Sequence, residues 1–160
     1  MAKELASQLG PSVTYQHCDT SSYAEQLALF VKAEKLFGCV DIVVANAGIV
    51  NYDNIFAPDK DWTQEPSMSE VDVNLKGALF TTRIGLGHIR KSGGGGDIVL
   101  TSSTAGFKYS KGLATYTATK HGVVGLMRGL QLEANADDVR INVVLPYFTC
   151  KLRSRYRATI

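Results

Sequence analysis

The sequence predicts an α/β fold, a doubly wound parallel sheet in which strands alternate with helices. Three observations predict it. Four short apolar runs are spread along the chain, and the last three are Ile/Val-rich and almost continuously apolar, as strands buried on both faces must be. The stretches between them are longer and carry helical periodicity. Strand and helix alternate, which is the pattern of right-handed βαβ units.

The first strand is expected at 12–18, SVTYQHC, and the helix at 23–38 turns Leu27, Phe30, Val31 and Leu36 toward one side before stopping at Gly38. VDIVVANAG, 40–48, is the second strand, and the polar, proline-containing segment 50–67 reads as a loop. A long helix follows at 69–93. SGGGG, 92–96, has the look of a phosphate loop, but such a loop follows a strand and opens a helix so that helical amides face the anion. These glycines follow a helix and precede a strand, so they read as a connector. DIVLTSS, 97–103, is the third strand, 114–136 the last helix, and RINVVLP, 140–146, the fourth strand.

A chain of 160 residues is long enough for one domain with a core, and no repeat or linker divides it, so residues 1–160 read as one domain. Net charge is +2 with acids and bases interspersed, which excludes a basic stripe for nucleic acid and a polybasic membrane patch. Small molecules and other copies of the chain are the partners expected. Cys18, Cys39 and Cys150 form no CxxC pair, which argues against a metal site or a disulfide framework and fits a reducing compartment. No apolar run approaches the length of a membrane span, and MAKELASQLG lacks the apolar core of a signal peptide. Cytoplasmic residence is the expectation. His17, His88 and His121 suit surface or loosely packed positions.

YTATK, 116–120, puts a phenol and an ammonium four positions apart, on one side of a helix. Alone, such a pair is an ordinary surface contact. Its position changes its weight, because parallel sheets gather ligand chemistry at the carboxyl ends of their strands. The strand at 97–103 ends in Ser102 and Ser103, and the strand at 40–48 ends in Asn46, Ala47 and Gly48. Each is common turn material by itself. Together with Tyr116 and Lys120 they converge on one sheet edge.

These residues resemble the short-chain dehydrogenase/reductase family. The resemblance rests on NAG (46–48), DVNLKG (72–77), IVLTSSTAG (98–106), YTATK and RINVVLP, in the family's order and spacing over nearly the whole chain. It implies a Rossmann-like sheet, NAD or NADP as cofactor, and interconversion of a secondary alcohol and a ketone. By the resemblance Tyr116 is the general acid or base. A free phenol titrates near about 10, so work at neutral pH requires about 4 kcal/mol of added phenolate stabilisation, from Lys120 and the oxidised nicotinamide. Lys120 also holds the nicotinamide ribose. Ser103 donates to the substrate oxygen, while strand alternation turns Ser102 away. Asn74 matches the family position that holds a water on the proton path to the lysine.

For the cofactor, the resemblance gives Asp19 a contact to the adenine amino group, although an acidic residue there also reads as a helix cap. Asn46, Ala47 and Gly48 line the adenosine ribose, and Thr149 falls where backbone meets the nicotinamide amide. The family's Pro-Gly is here Pro146-Tyr147. In the resembled family the two long helices form subunit contacts, which implies a homo-oligomer of the full-length protein; Gly122, Gly125 and Gly129 would permit close helix approach, and plain packing against the sheet explains them equally well. The loop at 50–67 is expected to border the pocket, and its Tyr52, Phe56 and Trp62 favour an apolar or aromatic alcohol, although aromatics in a loop just as often serve its own packing.

The resemblance also implies an incomplete sheet. The family's first two strands, its glycine-rich pyrophosphate loop and its last strand have no counterpart in the sequence. Strand order 3-2-1-4-5-6-7 then leaves 12–18 two strands from 40–48, at about 4.8 Å per strand. A stable fold is expected only if 12–18 moves in beside 40–48. A second reading follows: a catalytically inactive fragment or interaction module that lacks the pyrophosphate loop.

Overall fold

The computed structural model describes residues 2–147. Three strands, β1 (Ile42–Ala45), β2 (Gly96–Thr101) and β3 (Val139–Val144), form one parallel sheet in the order β1-β2-β3. The register aligns Val43 with Ile98 and Ile141, and Ala45 with Leu100 and Val143. Because side chains alternate along a strand, these rows share one face. That face carries the core, where Val43, Ile98, Leu100, Val139 and Ile141 pack with Phe30, Ile84, Ile89, Val123 and Ala134.

The helical half of the core comes from α2 (Tyr23–Phe37), α3 (Gly77–Ser92) and α4 (Ala114–Ala136), with α1 (Ala2–Leu9) at the start of the chain. Local chemistry sets their ends. The Ser22 hydroxyl accepts from the Glu25 amide at 3.3 Å at the start of α2, and Gly38, at φ 90°, closes it with its N–H on the Glu34 carbonyl. Gly93, at φ 72°, ends α3, so the glycine run 92–96 is the helix-to-strand connector its position implies. Gly85 lets α3 approach the sheet, since a Cβ there would stand 2.9 Å from Val43 Cγ2.

The parallel, Rossmann-like α/β class expected from the sequence is observed, as is its partial character. Two details differ. Residues 12–18 are not a strand among the described residues. A strand exists only through a ladder partner, and β1 pairs with β2 alone, so 12–18 runs unpaired over α2, where Lys32 Nζ reaches the Tyr15 carbonyl at 3.3 Å. The expected move beside 40–48 does not occur. Second, the covering helices of the core lie on one face. The opposite rows, Val44–Val99–Asn142 and Ile42–Asp97–Arg140, include Ile42 at 66% and Val44 at 59% exposure, with Arg140 bonded to Asp97 across the strands at 2.7 Å.

Candidate active site

The carboxyl ends of β1 and β2 meet the first turns of α4, and Lys120 is the hub. Lys120 is 4% exposed; its Nζ donates to the Thr101 carbonyl at 2.9 Å and stands 5.6 Å from the centre of the Tyr116 ring. Burial lowers its pKa, because removing an ammonium from water penalises the charged form. Thr101 Oγ1 in turn donates to Asn46 Oδ1 at 2.9 Å, tying the end of β1 to the end of β2.

The two serines after β2 point apart, as strand alternation requires. Ser102 is buried and its hydroxyl donates to the Lys120 carbonyl at 2.8 Å. Gly106 is needed beside it, since a Cβ there would lie 2.5 Å from Ser102 Oγ. Ser103 turns outward and accepts from the Ala105 amide at 3.2 Å, opening the short 3-10 turn Thr104–Gly106. It shares a cleft with Tyr116.

Asn74 lies not in an α-helix but in a π-helical turn, Val71–Lys76, that leads into α3, with the Gly77 amide on the Asp72 carbonyl. Nothing in the periodicity of 69–93 marks this turn, which is the kind of feature that re-aims side chains at sites. Asn74 is 1% exposed; its Oδ1 accepts from the Ile49 amide at 2.7 Å and its Nδ2 donates to the Ile49 carbonyl at 2.8 Å. Nδ2 also reaches Thr119 Oγ1 at 3.3 Å, and Thr119 donates to the Tyr116 carbonyl at 2.7 Å. Gly48 sits at the centre of the arrangement, because a Cβ there would come within 3.3 Å of both Asn74 Oδ1 and Lys120 Nζ. Asn74, Gly48, Lys120, Tyr116 and Ser103 are therefore neighbours. Thr119 and the buried Glu70, whose Oε1 accepts from the Asn51 amide at 2.6 Å, were not legible as site residues because only their tertiary bonds distinguish them.

Two of the residues assigned to the adenosine end, Asn46 and Ala47, line a groove of about 310 Å³ beside the edge of β1 that is unpaired among the described residues; Asp19 and Gly48 are not in its lining, whereas Asn74 and Thr101 are. Asn46 and Ala47 line one side, and Cys18 and Thr20, which flank Asp19, line the other. The Asp19 carboxylate accepts from the Ser21 amide at 2.9 Å and the Ser21 hydroxyl at 2.8 Å, and these bonds hold its pKa below the usual carboxylate value. The cap of α2 is Ser22, so Asp19 shapes the preceding turn. Thr149 lies outside the described residues.

The Ser103–Tyr116 cleft is open to solvent and spans about 790 Å³. Tyr52 borders it as expected, whereas Phe56 and Trp62 do not; its other aromatic walls are Phe107, Tyr109 and Tyr147, with Val50 and Leu113 between them. Sequence reading missed these three because they follow strand ends in turns with no periodicity. Of the histidines, His17 and His121 are at the surface, while His88 is half-buried, stacked on Phe30 at 5.6 Å and 3.2 Å from Glu34.

The profile of the short chain dehydrogenase family matches residues 1–155. The chain belongs to this family. Among its short-chain dehydrogenase relatives, prx4 of Penicillium rubens is 38% identical over 139 residues, covering 85% of this chain and 41% of that protein. The (-)-trans-carveol dehydrogenase of Rhodococcus erythropolis is 39% identical over 140 residues, 86% of this chain and 49% of that protein. An uncharacterized NAD-dependent oxidoreductase of Mycobacterium tuberculosis is 34% identical over 138 residues, 86% of this chain and 49% of that protein. Among solved structures, ElxO with NADP bound superposes with a TM-score of 0.80 at 27% identity, over 92% of this chain and 58% of the other. This short-chain dehydrogenase chain thus spans about half the length of the curated relatives it matches.

Proposed function

We propose that the protein is an NAD- or NADP-dependent oxidoreductase that interconverts a secondary alcohol and a ketone. The observation that carries this reading is the buried Lys120 ammonium 5.6 Å from the centre of the Tyr116 ring, with Tyr116 lining the same cleft as Ser103. The nicotinamide cofactor, when bound, supplies or takes the hydride. Tyr116 gives its phenolic proton to the carbonyl oxygen in reduction and takes it back in oxidation. Lys120 stabilises the phenolate, and the burial that lowers its own pKa also strengthens its field when it is charged. The Ser103 hydroxyl accepts from Ala105, which leaves its hydrogen to donate to the substrate oxygen. Asn74 braces the Ile49 backbone beside Lys120, a position suited to holding a water on the proton path.

Asp19, Asn46, Ala47 and Gly48 are proposed to hold the adenosine half of the cofactor, with Thr149 on the nicotinamide amide. Gly48 itself lies between Asn74 and Lys120, where any side chain would crowd the two polar groups. The relatives bear on the cofactor in both directions, one named for NAD and one structure holding NADP. Self-association through α4 is part of the proposal, as Gly125 and Gly129 would place a Cβ within 4 Å of nothing, whereas Gly122 packs against Leu75.

A second reading, an inactive fragment or interaction module, is favoured by the edge of β1, which is unpaired among the described residues. One assay separates the two. With millimolar NADH or NADPH and 2-tetralone, the chain is expected to oxidise the cofactor, and Tyr116→Phe is expected to lose about 10²–10⁴-fold in rate. No transfer by the parent chain would support the second reading, and transfer unchanged in Tyr116→Phe would overturn the role of Tyr116.

A further inference from the structure

We infer that the substrate is a neutral ketone or secondary alcohol carried on a ring system, and that Tyr52 and Tyr109 select it. The inference rests on the reading of Tyr116 and Ser103 as the groups that meet the substrate oxygen. With the reacting oxygen held there, the body of the substrate must extend along the rest of the cleft, whose walls are Tyr52, Phe107, Tyr109 and Tyr147. The volume, about 790 Å³, lies in the range of sites that take drug-sized molecules and leaves a three- or four-carbon ketone in contact with little of the wall. Aromatic rings present broad flat faces that pair best with other rings or with apolar polycycles.

The aromatic side chains of the walls are exposed, and the backbone beside two of the wall segments is held by hydrogen bonds. Tyr52 is 81% and Tyr109 90% exposed, so a ring laid against them removes apolar area from water that the described chain leaves uncovered. The backbone on either side of Tyr52 is tied down: the Asn51 amide donates to Glu70, and the Asp53 amide donates to Asn51 Oδ1 at 3.0 Å. The Thr104 amide donates to the Pro146 carbonyl at 3.0 Å, which fixes the start of the 104–109 wall against the segment carrying Tyr147. Charge is sparse among the described residues of the cleft. Among them Lys108 is the charged residue of the lining, and its ammonium already lies 5.5 Å from the centre of the Phe107 ring. Against these residues an anionic substrate meets one solvated cation, whose screened attraction contributes little.

The test uses the 160-residue chain and a binding readout that needs neither cofactor nor turnover. Saturation-transfer NMR titrations would compare 2-tetralone, a neutral bicyclic ketone, with levulinate, a small anionic one. We expect 2-tetralone to bind at least about tenfold more tightly, and the Tyr52→Ala/Tyr109→Ala double variant to weaken it at least about fivefold while leaving levulinate unchanged. Both side chains are exposed, so the variant retains the parent fold. Equal or tighter binding of levulinate, no binding of 2-tetralone, or an unchanged 2-tetralone affinity in the double variant would each overturn the inference. The failures are separable. Binding of 2-tetralone without hydride transfer would remove the oxidoreductase reading and leave the ring-selective cleft. Reduction of levulinate as fast as 2-tetralone would do the reverse.

Discussion

Lys120 carries a cost that its neighbours impose, and the cost has a pH signature. Desolvation lowers its pKa in the folded chain below that of an exposed lysine, about 10.4. Between the two values the unfolded chain holds a proton that the folded chain does not, so stability from this residue rises with pH across that window. Below the window both states are charged and the burial penalty is complete. Lys120→Met keeps the stem and removes the ammonium. The stability difference, variant minus parent, is expected to fall as pH rises into the window, measured by urea denaturation across the alkaline range; a difference that grows would contradict the burial argument. At this scale the sequence was informative wherever spacing alone defines a group: Tyr116 and Lys120 lie one helical turn apart, Ser103 follows a strand, and all were legible. Thr119 and Glu70 were not, because a threonine in a helix and a glutamate before one look alike whether buried or solvated.

At the scale of elements, α3 depends on a close approach that two of its glycines illustrate in opposite ways. A Cβ on Gly85 would stand 2.9 Å from one Val43 methyl and 3.3 Å from the other, so neither rotation of Val43 relieves it. Gly87, on the same helix, would place a Cβ near nothing within 4 Å. Gly85→Val is therefore expected to destabilise by about 1–3 kcal/mol through overpacking. Gly87→Ala is expected to stabilise by about 0.5–1 kcal/mol, because alanine loses less backbone entropy in a helix. Urea midpoints of the two variants check both signs. The helices themselves were legible from periodicity and end signals, with boundaries close to those observed. The π-helical turn was not. Asn74 within it makes a pair of bonds to the Ile49 backbone, a contact across 25 positions that no local pattern encodes.

Taken as a whole, the molecule has an open side. β1 pairs on one edge alone among the described residues, and Ile42 and Val44 are exposed beside it. An unpaired apolar edge is a template for another strand. The 160-residue chain is expected to self-associate with rising concentration, and Val44→Lys to shift it toward monomer in sedimentation velocity, because a charged side chain beside the edge must lose water when strands pair. If parent and variant sediment alike, the edge is not what brings chains together.

By itself the sequence determined the parallel α/β class, the family, and the identities of the residues gathered at the strand ends. Those features are encoded in local periodicity and spacing, which survive in any chain carrying the same motifs. Only the tertiary structure decided that 12–18 is not a strand, because a strand is defined by its neighbour and β1 does not offer one to it. It also decided that Asn74 sits in a π-helical turn and that Phe107, Tyr109 and Tyr147 line the cleft while Phe56 and Trp62 do not. Each of these depends on which distant backbone comes alongside, and side-chain bonds and packing between remote segments set that arrangement.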